Sequence, residues 1–201
     1  MGTDITLSTT DGHSLSAYLC EPKNALKGGI VVIQEIFGVN EHIRDVAERY
    51  AEVGYKTIAP ALYDRYERNF EVGYQPDNIE MGLKYKESAN ENLAGVLADL
   101  EAAKEVVNEI ESVGITGFCW GGFASWLAAC RLEFQAASCY YGGGILDLND
   151  EEPKCPTILH FGNRDQSIPS EDVEKITSAH PEVGIYIYEA DHGFHCDMRG
   201  Q

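Results

Sequence analysis

Cys119 lies in the stretch Gly117-Phe118-Cys119-Trp120-Gly121-Gly122, a thiol with glycine two residues away on either side. An apolar run leads into Gly117, and a helix-like apolar pattern begins straight after the thiol. Strand, sharp turn, helix is the order this predicts. The residue at such an apex sits in strained backbone, and its small neighbours let the helix pack closely on the strand. A thiol raised there, above a helix N-terminus that favours negative charge, can attack a carbonyl carbon. The attacking form is the thiolate, and an unperturbed cysteine has a pKa of about 8.5, so a base must assist.

Two later stretches supply candidates for that base and its support. Gly162-Asn163-Arg164-Asp165 turns off the end of one apolar run, and Ala190-Asp191-His192-Gly193-Phe194 off the end of the last. His192 can take and return a proton near neutral pH, while Asp165 would fix its tautomer and stabilise the imidazolium. His195, three residues on in the same loop, is a rival base. Asp191 is a poorer acid than Asp165, because adjacent side chains diverge. His160 falls inside an apolar run and reads as structural; His13, His42 and His180 read as surface histidines. The oxyanion formed on attack needs two donors: the backbone N–H of Trp120 and one from the loop after Gln34. Glu35 follows that glutamine and, by itself, reads as a solvated loop carboxylate.

The elements that must position these residues follow from periodicity. Ile5–Thr9 and Leu15–Cys20 alternate around Asp11-Gly12 and predict an antiparallel hairpin. Gly29–Ile36 reads as a strand buried on both faces, Glu41–Val53 as an amphipathic helix ended by Gly54, and Tyr55–Pro60 as another strand. Residues 61–90 carry few periodic apolar positions and read as a long loop, equally a pocket wall or plain surface. Asn92–Glu111 is a helix. After the elbow, a helix runs to Leu132, a strand spans Ala136–Tyr141, and a Gly142-Gly143-Gly144 loop follows. Thr157–Phe161 and Gly184–Tyr188 are strands, with a helix at Ser170–Ala179 between them. Alternating strands and helices predict an α/β fold: a mostly parallel twisted sheet, helices on both faces, candidate residues at the strand C-terminal ends. Residues 1–201 read as one domain.

Composition limits the function classes. Thirty-three acidic against fifteen basic residues give a formal charge of −18, which disfavours nucleic acid and anionic membrane surfaces as partners. No transmembrane run or secretory leader is evident, so a cytoplasmic protein is expected. The six cysteines, at 20, 119, 130, 139, 155 and 196, lack paired metal or redox spacings. Most read as small buried apolar residues, with no disulfide and no metal.

With those residues in view, the chain resembles the dienelactone hydrolase family of α/β hydrolases over nearly its whole length. The resemblance rests on Gln34-Glu35-Ile36-Phe37-Gly38, Ala59-Pro60-Ala61-Leu62-Tyr63, Gly117 to Gly122, Tyr140-Tyr141-Gly142, Gly162 to Asp165, and His192-Gly193-Phe194. The nucleophile, acid, histidine order also matches triads on that fold. The resemblance implies a Cys119, Asp165, His192 triad, no metal and no cofactor. It implies that Glu35 helps deprotonate the thiol when substrate binds, and that the Ile36 backbone is the second oxyanion donor. Phe37, Tyr141, Arg65 and Phe194 are the candidates for contact with substrate. The implied activity is hydrolysis of a small ester or lactone, as in carboxymethylenebutenolidase, through a thioester. The alternatives are a broad carboxylesterase or thioesterase, and a redox-sensing or ligand-binding protein on a hydrolase scaffold. Family members that take the anionic lactone hold its carboxylate with two arginines. Cys196 stands at one of those places and no arginine stands near Met81, so an uncharged substrate is at least as well accommodated. A monomer or small homo-oligomer is expected. The chain stops at Gln201, where such folds add a further helix, and an uncovered apolar sheet surface is expected.

Overall fold

A computed structural model describes residues 1–199. It divides into two compact units, Met1–Gly114 and Ile115–Gln201.

The first unit opens with the hairpin of β1 (Thr3–Ser8) and β2 (Ser14–Cys20), paired antiparallel with Leu7 opposite Leu15. Gly12 takes the left-handed backbone (φ 84°) that the tight turn requires. β2 continues antiparallel onto β4 (Tyr55–Pro60), and β4 lies parallel to β3 (Gly28–Ile33), giving the order β1-β2-β4-β3. Between β3 and β4 runs α1 (Glu41–Glu52), capped by the Asn40 side chain accepting from the Ile43 N–H. Its buried face is Ile43, Val46, Ala47 and Ala51. The strand expected to reach Ile36 ends at Ile33, because the chain turns there and Glu35 pairs instead with Gly38 in an isolated bridge.

Residues 61–90 are not a loop. They hold a 3-10 turn at Leu62–Arg65 and the helix α2 (Pro76–Asn90). The helix gives no apolar stripe because it buries only Gly82, Tyr85 and Ala89 and leaves Ile79, Met81 and Leu83 exposed. α3 (Leu93–Val106) follows, capped by Asn92, and stops short of the expected Glu111.

Arg65 pins this region. Its guanidinium meets Asp99 of α3 through two bonds of 2.8 and 2.7 Å and reaches Asp11 in the hairpin turn at 2.9 Å. Burial pushes the Asp99 carboxyl up, with Arg65 opposing it, and Arg65 holds Asp11 well below the usual carboxylate range. Replacing Arg65 with alanine would leave the Asp99 charge buried and unpaired, at a cost of about 3–5 kcal/mol. The expected result is a large fall in melting temperature, read by calorimetry; an unchanged value would show that the pair stabilises nothing.

In the second unit β5 (Val113–Phe118), α4 (Trp120–Arg131), β6 (Ala136–Tyr140), β7 (Thr157–Gly162), α5 (Ser170–Ala179) and β8 (Gly184–Tyr188) succeed one another. Strand order is β5-β6-β7-β8, with β6, β7 and β8 parallel. One face of these strands carries Tyr140, Ile158, His160, Tyr186 and Tyr188 by alternation and register. Tyr186 is 51% exposed, and Ile187 on the opposite face is 61% exposed. Tyr188, on the same face as Tyr186, is also exposed.

Candidate active site

Three of the sequence-predicted side chains come together in the second unit. Cys119 stands between β5 and α4 with φ 56° and ψ −119°, the strained backbone expected of the apex. Its N–H donates to the Tyr140 carbonyl at 3.0 Å, and its own carbonyl accepts from Gly122 at 2.9 Å. The glycines explain why the turn can be this tight. A Cβ on Gly117 would lie 2.1 Å from the Gly121 carbonyl oxygen, and one on Gly122 would lie 2.4 Å from that of Tyr140. Gly117→Ala is therefore expected to cost about 3 kcal/mol or more, or roughly 6–12 °C in melting temperature. A variant melting like wild type would mean that helix and strand do not need this approach.

Asp165 is fully buried at its side chain and is fixed from two sides. One oxygen accepts the Ser167 N–H at 2.8 Å; the other takes His192 Nδ1 at 2.7 Å. Nδ1–H thus points at the carboxylate, which leaves Nε2 for the thiol. His192 also hydrogen-bonds Cys119. Burial pushes the imidazole down, but its bonds to Asp165 and Cys119 outweigh burial and raise it from 6.5 to about 10. A histidine with a folded value above its unfolded one adds stability that is full below pH 6.5 and lost as pH rises towards 10. Wild type should therefore lose melting temperature over that window relative to His192→Ala; parallel curves would refute the charged pairing.

His195 is placed differently: its ring lies 4.6 Å from Phe118 and 4.8 Å from Tyr140, packed among aromatics. His160 sits in β7, with Nδ1 2.9 Å from the Tyr188 hydroxyl and Nε2 3.2 Å from that of Ser138, as befits a structural residue. Trp120 begins α4, so its N–H belongs to the helix N-terminus, the positive end of the dipole.

In the first unit, Glu35 is fully buried just past β3. Gln34 sets that turn: its side-chain oxygen accepts the Leu62 N–H at 3.1 Å. Ile36 is covered by α2, where a Cβ on Gly82 would come within 2.3 Å of the Ile36 carbonyl oxygen. Residues 61–90 therefore pack on the Glu35–Phe37 turn. Phe37 is buried edge-on to Tyr74 at 4.8 Å. Arg65 is held by the two carboxylates already described. Tyr141 is fully buried, and Phe194 is half-buried against Tyr141 and Tyr188.

Two histidines expected at the surface are buried instead. His42 is 1% exposed in the first turn of α1, with a ring nitrogen within 4.8 Å of a Glu35 carboxylate oxygen. His180 is buried against Trp126, rings 4.9 Å apart. His42 could have been found from its spacing, since it lies four residues before Val46 on the buried face of α1. None of the six cysteines is in a disulfide.

A buried Asp, a histidine held by it and a thiol at a strained strand-to-helix turn are the parts of an α/β hydrolase. A model of the dienelactone hydrolase family matches residues 15–201, and the chain belongs to that family. A Synechocystis sp. protein, named provisionally as a carboxymethylenebutenolidase, is 41% identical over 96% of this chain and 87% of its own length. The carboxymethylenebutenolidase of Pseudomonas putida is 30% identical, over 94% of this chain and 84% of its own. A crystal structure from Klebsiella pneumoniae, titled provisionally as a dienelactone hydrolase, superposes with a TM-score of 0.80 at 32% identity, covering 98% of this chain and 90% of that one. The mostly parallel sheet with its helices and N-terminal antiparallel pair is the fold of these neighbours. The protein is a hydrolase of this family. No helix among the described residues is long and apolar enough to cross a membrane.

Proposed function

We propose that the protein hydrolyses a small ester or lactone by covalent catalysis at Cys119, with residues 1–201 acting as one hydrolase domain in the cytoplasm. The observation that carries this reading is the short bond of 2.7 Å from His192 to buried Asp165, with the same imidazole bonded to Cys119. An imidazole raised to about 10 carries the proton that the leaving group needs at neutral pH.

Cys119 Sγ attacks the ester carbonyl carbon, and the carbonyl π electrons move onto oxygen. The backbone N–H groups of Trp120 and Ile36 receive that oxyanion. Collapse expels the alkoxide, which takes the proton from His192, and an acyl-thioester remains on Cys119. His192, now neutral, removes a proton from water; hydroxide adds to the thioester, and thiolate leaves with the acid as product. Asp165 holds the ring in place and stabilises the imidazolium. Glu35 assists deprotonation of the thiol when substrate arrives, the role that the family resemblance implies for it. Phe194 is the substrate-facing candidate retained. Arg65 is not, because its donors are taken up by Asp99 and Asp11.

The test is to assay aryl esters, lactones and thioesters and to quench the reaction on the best substrate within one turnover. Mass spectrometry is expected to find the acyl group on the peptide bearing Cys119. Turnover with no adduct on that peptide, or no turnover across the panel, would refute the reading.

A further inference from the structure

We infer that Tyr141 is a positioning residue for His192, a role that rests on the reading of His192 as the base. Tyr141 follows β6 at φ 38°, a left-handed conformation in which a bulky side chain is strained. Nothing about a plain strand end calls for a tyrosine there, where glycine would be unstrained and Gly142 and Gly143 come next. What the strained backbone does is send a large ring inwards. The ring is fully buried and lies 5.0 Å from that of His192, steeply inclined at 61°, and 5.1 Å from Phe194.

The backbone around the ring is held on both sides. The Tyr141 N–H donates to the His160 carbonyl of β7 at 2.7 Å. One residue earlier, the Tyr140 carbonyl accepts the N–H of Cys119. One residue later, a Cβ on Gly142 would lie 2.9 Å from the Gly122 carbonyl carbon and from the Phe123 nitrogen. A single turn therefore both anchors the nucleophile's backbone and presents a rigid ring to the base.

Asp165 and Cys119 engage the imidazole at its edges, but bonds lying in the plane of a ring do not by themselves stop it tilting out of that plane. A flat, immobile side chain packed against it removes that freedom. Because Tyr141 is fully buried, it acts through His192 and not through substrate.

The test compares Tyr141→Phe, which keeps the ring, with Tyr141→Leu and Tyr141→Met, which keep apolar bulk without it. Tyr141→Phe should retain wild-type kcat. Either aliphatic variant should lose about 10²-fold in kcat, as for a misplaced catalytic group, with KM unchanged. Each is measured at a temperature at which its own melting curve shows it folded, and having two guards against one failing to fold. The downfield proton resonance of the His192 Nδ1–H···Asp165 bond should persist in the Phe variant and broaden or shift upfield in the aliphatic ones. Wild-type kcat in a folded Leu or Met variant, or an equal loss in Tyr141→Phe, overturns the inference. His192→Ala is assayed alongside: full turnover in that variant would instead sink the reading of His192 as base.

Discussion

Cys119→Ala is expected to lose about 10⁴–10⁶ in kcat and to melt where wild type melts. The two halves belong together. Alanine must adopt the same left-handed backbone at φ 56° and keeps the contacts of Gly117 and Gly122, so the elbow survives while the sulfur is gone. Cys119→Gly separates them further. Glycine is unstrained at that φ, so relief of about 1 kcal/mol should raise the melting temperature by roughly 2–4 °C in an equally inactive protein. Residual turnover in Cys119→Ala approaching that of wild type would place the chemistry elsewhere. A Gly variant less stable than wild type would show that the elbow stores no strain.

The second large effect concerns which histidine works. His192→Ala is expected to fall by about 10⁴–10⁶ in kcat, whereas His195→Ala keeps most of the turnover. His192 is held by a buried carboxylate and bonded to the thiol; His195 packs on Phe118 and Tyr140. His195→Ala should instead act on stability, through loss of aromatic packing. Asp165→Asn makes a related test, because an amide in place of the carboxylate no longer favours the imidazolium, and kcat should drop by about 10⁴. If His195→Ala proved the inactive member of the pair, the base would have been assigned wrongly.

What could be read before any coordinates were known depended on how local each signal was. The elbow announces itself because three glycines within six residues of a thiol reflect a steric demand made within the same turn. The buried strands around Val31 and Leu159 show as unbroken apolar runs for the same reason. α2 did not show, because a helix that buries Gly82, Tyr85 and Ala89 has no apolar stripe for periodicity to find. The partners of Arg65 were equally hidden: Asp99 lies thirty-four positions away in sequence, and no spacing rule links a guanidinium to a carboxylate on another helix. Tyr141 was legible as an aromatic near the site but not as a strained one, since its φ follows from tertiary bonds to neighbouring strands. His42 differs: its residue type suggests the surface, and only its spacing, four residues before Val46 on the buried face of α1, points inward.

β8 carries a consequence for how the protein behaves as a colloid. Its sequence Gly184-Ile185-Tyr186-Ile187-Tyr188 is uncharged, free of proline and exposed at Tyr186, Ile187 and Tyr188, the kind of edge on which further strands grow. What opposes this is long-range repulsion between molecules that each carry a formal −18. That protection weakens as salt shortens the screening length and vanishes near the isoelectric point of about 4.6. Light scattering should rise steeply as pH falls towards that value, and Tyr186→Asp, which adds to the negative charge, should move the rise to lower pH, so that solubility here is set by the charge that keeps copies apart.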